Sequence, residues 1–72
     1  MTYDQVKTVL DKMRFSPLHD YNDKGTYFEA LGIFEEDLES LRQIVSNDWE
    51  FVERKRNPDN NFLRIDIIPS RK

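Results

Sequence analysis

The chain predicts an α+β domain: three helices followed by one C-terminal β-hairpin. Three observations carry this expectation. Apolar residues recur at helical spacing in the first two thirds, behind residues suited to capping helix starts. The period changes to two in the last third. A Pro- and Asn-rich segment, residues 57–61, separates two strand-like runs there.

The first helix opens on Thr2 and Gln5, three residues apart, a capping box that satisfies the free amides of a helix start. Val6, Val9, Leu10 and Met13 then form one apolar stripe, with Lys7, Asp11, Lys12 and Arg14 on the wet side. Pro17 disfavours α conformation at the residue before it, so the helix should end near Phe15-Ser16. Residues 18–25 read as a connection, with a tight turn at Asp23-Lys24-Gly25. A calcium loop starting at Asp20 would put Gly25 sixth, as it should be. It would also put Lys24 in a ligand position and Leu31 where a Glu is needed, which excludes it.

Thr26 and Glu29 make a second capping box before Tyr27, Phe28 and Leu31, and Gly32 stands where a short helix needs a left-handed terminator. The third helix is expected over residues 35–45, with Phe34, Leu38, Leu41 and Val45 on one face. Its first turn, Glu35-Glu36-Asp37, complements the helix dipole, and Ser46-Asn47-Asp48 stops it. The hairpin pairs residues 49–56 with 62–68. Leu63, Ile65 and Ile67 point one way, Arg64 and Asp66 the other, and Pro69 ends the ladder. One domain is expected over residues 1–69, with a basic tail at 70–72.

A chain of 72 residues has room for one core and buries only about 60% of the surface its unfolded form exposes. Without cysteine, neither disulfides nor thiolate-bound zinc can add stability, so pairing with a second copy is one route left open. The lack of cysteine fits a reducing compartment, and the N-terminus has no signal-peptide pattern, so a cytoplasmic location is expected. No apolar run approaches the ~20 residues of a membrane span. The net charge of −3 is unevenly spread: residues 1–53 sum to −7 and residues 54–72 to +4. Such asymmetry points either to a charged partner or to mutual attraction within the fold.

The order helix, short helix, turn, helix, hairpin, together with Leu31-Gly32-Ile33, Val52-Glu53-Arg54 and Asn57-Pro58-Asp59, resembles a winged helix-turn-helix. The turn and wing are similar to those of the MarR-type regulators, over roughly residues 26–69. The resemblance implies a winged-helix-like fold and a regulatory DNA-binding protein. Besides lacking the length for the long terminal helices with which MarR-type proteins dimerise, the chain departs from that pattern in three ways. Phe34 stands where the family has a capping Ser or Thr, no Arg follows the wing Asp, and Glu35-Glu36-Asp37 begins the element matching the recognition helix. Carboxylates there would face the phosphates.

Two function classes follow. In the first, the protein meets double-stranded DNA through a basic wing: Arg54, Lys55, Arg56 and Arg64, with Arg71 and Lys72 in the tail. The competing reading of these cations is a solvated strand face paired to Glu50, Glu53 and Asp66. In the second, the third helix is a protein-interaction surface, of an adaptor or an inhibitor. Glu35, Glu36, Asp37 and Glu39 would then meet a basic protein partner, in the sharper version by imitating a row of phosphates. No enzyme is expected. His19 stands alone, there is no Gly-rich phosphate loop, and no spacing suggests a metal or a cofactor. Trp49 and Phe51 are assigned to the core and Phe62 to an exposed position near the tip. Two strands alone are too small a platform for stacking bases.

Overall fold

A computed structural model describes residues 1–45 and 48–70. The element order is α1 (Tyr3–Met13), β1 (Asp20–Asp23), β2 (Phe28–Phe34), α2 (Glu35–Ile44), β3 (Trp49–Arg56) and β4 (Phe62–Pro69). The strands form one antiparallel sheet in the order β1-β2-β4-β3. This replaces the expected three helices and isolated hairpin with two helices and four strands. The winged-helix-like arrangement is therefore not formed. Arg71 and Lys72 of the expected tail, and Ser46-Asn47 of the expected stop, lie outside the described residues.

The two helices are where local signals placed them. Thr2 and Gln5 form the capping box reciprocally, and Val6, Leu10 and Met13 are buried. The chain leaves the helix at Arg14, and the amides of Ser16 and Leu18 both donate to the Met13 carbonyl. In α2, Leu38 and Leu41 are buried behind three acidic residues in the first turn. Phe34, expected on the apolar face of this helix, is instead its N-cap and lies 37% exposed.

The corrections fall on residues 18–34. The Thr26–Glu29 capping box does not form, because Phe28–Phe34 is a strand with no helix start to cap; the Glu29 carboxylate is engaged instead by Asn22 and Arg64. Phe28 and Ala30 alternate into the core as a strand does, and Ile33 rejoins them after an interruption at Gly32. Gly32 does adopt the left-handed conformation expected of it, φ +75°, but inside a β-bulge rather than at a helix end. The expected connection at residues 18–25 contains β1, whose Asp and Asn residues have little intrinsic strand preference. It is held by its ladder to β2 and by Tyr21, which meets Phe28 edge-on. The turn behaves as expected: Gly25 has positive φ, and its amide donates to Asp23.

Both helices pack on one face of the sheet. A single core joins Val6, Leu10, Leu38 and Leu41 of the helices to Phe28, Ala30, Ile33, Leu63, Ile65 and Ile67 of the strands. Burying each of the larger side chains stabilises by about 1.5–3 kcal/mol. Tyr3 stacks on Phe28 at 4.4 Å between ring centroids, and Trp49 donates its indole N–H to the Met1 carbonyl at 2.8 Å. The opposite face carries no helix.

Candidate nucleic-acid interface

The uncovered face can be assembled from strand register. One row across all four strands is Asp20, Leu31, Arg64 and Lys55. The row on one side of it is Asn22, Glu29, Asp66 and Val52. On the other side, Phe34 of β2 faces Phe62 of β4, with ring centroids 4.5 Å apart. Aromatic rings and cations thus occupy neighbouring rows at the end of the face nearest the β3–β4 loop.

Two bulges produce this juxtaposition. Strict alternation from Glu29 and Leu31 would put Ile33 on the open face and Phe34 in the core. The irregularity between Leu31 and Ile33 reverses both. A second irregularity, between Glu53 and Lys55, brings Lys55 opposite Arg64 and sends Arg56 opposite Leu63 on the helix side. The bulges flank the same stretch of β4 from its two sides.

The charges are layered. Asp66 is the one buried charged residue among the described residues, its side chain 10% exposed. Arg54 donates Nε–H to it at 2.7 Å and is itself 59% exposed. Arg64 lies 3.1 Å from Glu29, with the guanidinium again the more exposed partner. The Glu29 carboxyl is held below its ordinary range by hydrogen bonds, first from Asn22 and then from Arg64. The carboxylates therefore sit low in the face and the guanidinium groups ride above them. Arg54 uses only Nε in this pair and makes no other hydrogen bond among the described residues, so its outer nitrogens can address an anion. Lys55 has no ion pair among the described residues.

Of the four cations singled out from sequence, Arg54, Lys55 and Arg64 come together on this face. Arg56 does not. It reaches α2, where it contacts Glu35 at 3.2 Å and Glu53 at 3.1 Å. Its hydrogen bond holds the Glu35 carboxyl below the usual range. Glu36, Asp37 and Glu39 follow along α2, and Glu35 and Glu39 border a hollow of about 160 Å³ floored by Phe51, Leu63 and Ile65. Phe62, expected to be exposed, is half-buried on the open face, where Phe34 is the more exposed ring; Trp49 is buried and Phe51 half-buried in the core. Phe34, Leu31 and Glu29 carry no sequence signal that places them on this face, whereas Asp66 and Glu53 were expected as partners of the basic strand residues and do pair, with Arg54 and Arg56. The Phe28–Ala30 alternation hints at a strand, but the bulge cuts it short.

Among the described residues, no helix is long and apolar enough to cross a membrane, and no three acidic or histidine side chains cluster so as to hold a metal ion. Comparison with protein-family models, with curated proteins and with solved structures finds no match to this chain.

Proposed function

We propose that this domain binds nucleic acid through the open face of its sheet, at the end nearest the β3–β4 loop. The observation that carries the reading is the layered charge. Arg54 and Arg64 stand over low-lying carboxylates, beside the Phe34–Phe62 pair and Lys55, which has no ion pair among the described residues. Carboxylates beneath the guanidinium groups fix their orientation, while the groups nearest an incoming phosphate are cationic. The four-stranded sheet also answers the objection that a lone hairpin offers too little surface. The acidic α2 is a weaker candidate surface, because Arg56 already neutralises Glu35, the first of its carboxylates.

The test is fluorescence anisotropy with labelled mixed-sequence oligonucleotides in 50 mM salt (about one third of physiological ionic strength). Three phosphate contacts give a slope of log K against log salt of about −2 on a single strand and nearer −3 on a duplex. Lys55→Glu should weaken binding roughly tenfold, since it removes one contact and adds a repulsion. Arg56→Gln, on the other face, should change affinity less than about twofold. No binding at about 100 μM protein, where even non-specific binding is normally measurable, would reject the reading. So would equal effects of the two substitutions.

A further inference from the structure

Resting on the nucleic-acid reading, we infer that the open face selects single strands, with an unpaired base stacking on the Phe34–Phe62 pair and its flanking phosphates held by Arg64, Lys55 and Arg54. Three features lead there.

The first is the position of the rings. Phe34 and Phe62 lie on the two central strands, β2 and β4, on the face that neither helix covers. Phe34 is 37% exposed even though a more buried site for it existed one residue away, the site that the bulge at Gly32 gives to Ile33. An apolar ring kept at the surface by a built irregularity is available to a planar apolar ligand. The nucleobase is the one part of a nucleotide that fits it, and each stacked base contributes enough for its loss to be measured.

The second is spacing. Phe62 and Arg64 are two residues apart on one strand face, about 7 Å at the usual strand rise. Lys55 stands directly beside Arg64 in the next strand. A base on the rings therefore has cations within one nucleotide's reach. Asp20, in the same row on the edge strand β1, is paired to Arg14 at 3.0 Å, and Glu29 and Asp66 in the adjoining row are paired to Arg64 and Arg54 and largely covered.

The third is what the face excludes. Four strands span about 14 Å between outer strand axes, and side chains widen that further. The duplex major groove is about 12 Å wide and admits one helix or a two-stranded ribbon. This sheet cannot enter it face-on, and paired bases present no ring face to Phe34 or Phe62. A single strand meets neither obstacle.

The experiment measures affinity for four probes at equal salt: a twelve-nucleotide oligo-dT, the matching oligo-rU, a mixed-sequence single strand and its duplex. The lengths are about the size of a single-domain site. At least one of the uniform strands should bind tenfold or more tightly than the duplex. Phe34→Ala and Phe62→Ala should each lower single-strand affinity roughly tenfold while leaving duplex binding unchanged. Phe34→Leu should stay weak and Phe34→Tyr should recover, which separates stacking from mere apolar contact. Circular dichroism of each variant at the assay temperature excludes unfolding, and Tyr at position 34 keeps the test available should Ala unfold the sheet. Equal binding of strand and duplex, with Phe34→Ala silent but Lys55→Glu damaging, overturns the single-strand inference and leaves the nucleic-acid reading standing. Full activity of Phe34→Leu overturns the stacking role. Binding to none of the four probes overturns both.

Discussion

Replacing Gly32 by Ala tests whether the bulge that exposes Phe34 is a required feature of the fold. At φ +75° an L-residue pays about 1 kcal/mol or somewhat more. The added Cβ would also lie 2.9 Å from the His19 Cβ. Both atoms are fixed by backbone, so relief requires β2 or the entry to β1 to move, and overpacking of this kind costs about 1–3 kcal/mol. The total expected loss is roughly 2–4 kcal/mol. Gly25 is the internal reference: its φ is also positive, +88°, but a Cβ there meets nothing within 4 Å. Gly25→Ala should therefore cost the conformational part alone, about 1 kcal/mol. For a domain of 72 residues, each kcal/mol lowers Tm by roughly 4–8 °C. Thermal and urea unfolding, followed by circular dichroism and Trp49 fluorescence, should thus place Gly32→Ala roughly 5–20 °C below Gly25→Ala. Removing the opposing Cβ with His19→Gly should recover about 1–3 kcal/mol in the double variant relative to additivity. Equal losses at the two glycines, or a coupling within about 0.5 kcal/mol of zero, would refute the close-contact argument.

The Arg54–Asp66 pair should behave asymmetrically. Arg54→Ala strands a covered carboxylate and should cost about 1–2 kcal/mol, reduced from the fully buried case because Arg54 is mostly in solvent. Adding Asp66→Asn should restore most of that loss in urea unfolding, and simple additivity would contradict the layered arrangement. Glu29, with its carboxyl held low in the folded state, contributes stability that is present above its ordinary pKa and lost as pH falls below it. Wild type should therefore lose more stability than Glu29→Gln between pH 5 and 3 (about one unit either side of the ordinary value), and parallel Tm curves would contradict this. Burial, and then the hydrogen bond donated to Asp11, push the Tyr21 hydroxyl up to about 12. A raised pKa contributes stability that is full below about pH 10 and is lost as pH climbs towards 12. Ultraviolet titration should find one phenol ionising late and absent from Tyr21→Phe; a variant lacking only an ordinary phenol would disprove the assignment.

The electrostatic asymmetry that the sequence displays takes on a different meaning in the fold. Residues 54–72 are basic as a run, but the run does not form one surface. The bulge in β3 sends Arg56 to the helix side and keeps Lys55 with Arg64. Partners then decide what each cation presents: Asp66 takes one nitrogen of Arg54, Glu35 and Glu53 take Arg56, and Lys55 has no ion pair among the described residues.

Both helices and the hairpin are legible in the chain because their signals are local. The Thr2–Gln5 box and the Val6–Leu10–Met13 stripe specify α1. Acids in the first turn and Leu38–Leu41 specify α2. Two alternating runs around a Pro- and Asn-rich loop specify the β3–β4 hairpin. Each rests on contacts within a few residues, which spacing reveals. By contrast, β1, β2 and the content of the open face arise from tertiary pairing between strands. A strand such as Asp20–Asp23 has no preference of its own to read; it exists because β2 offers a ladder. For β2, a left-handed glycine fits a helix terminator and a bulge equally well, and its partner β4 comes only after α2 and β3. Because a bulge shifts the side-chain period by one, it also decides which residues face solvent. Phe34 and Lys55 reached the candidate interface by that shift, which depends on pairing between distant strands and leaves no periodic mark in the chain.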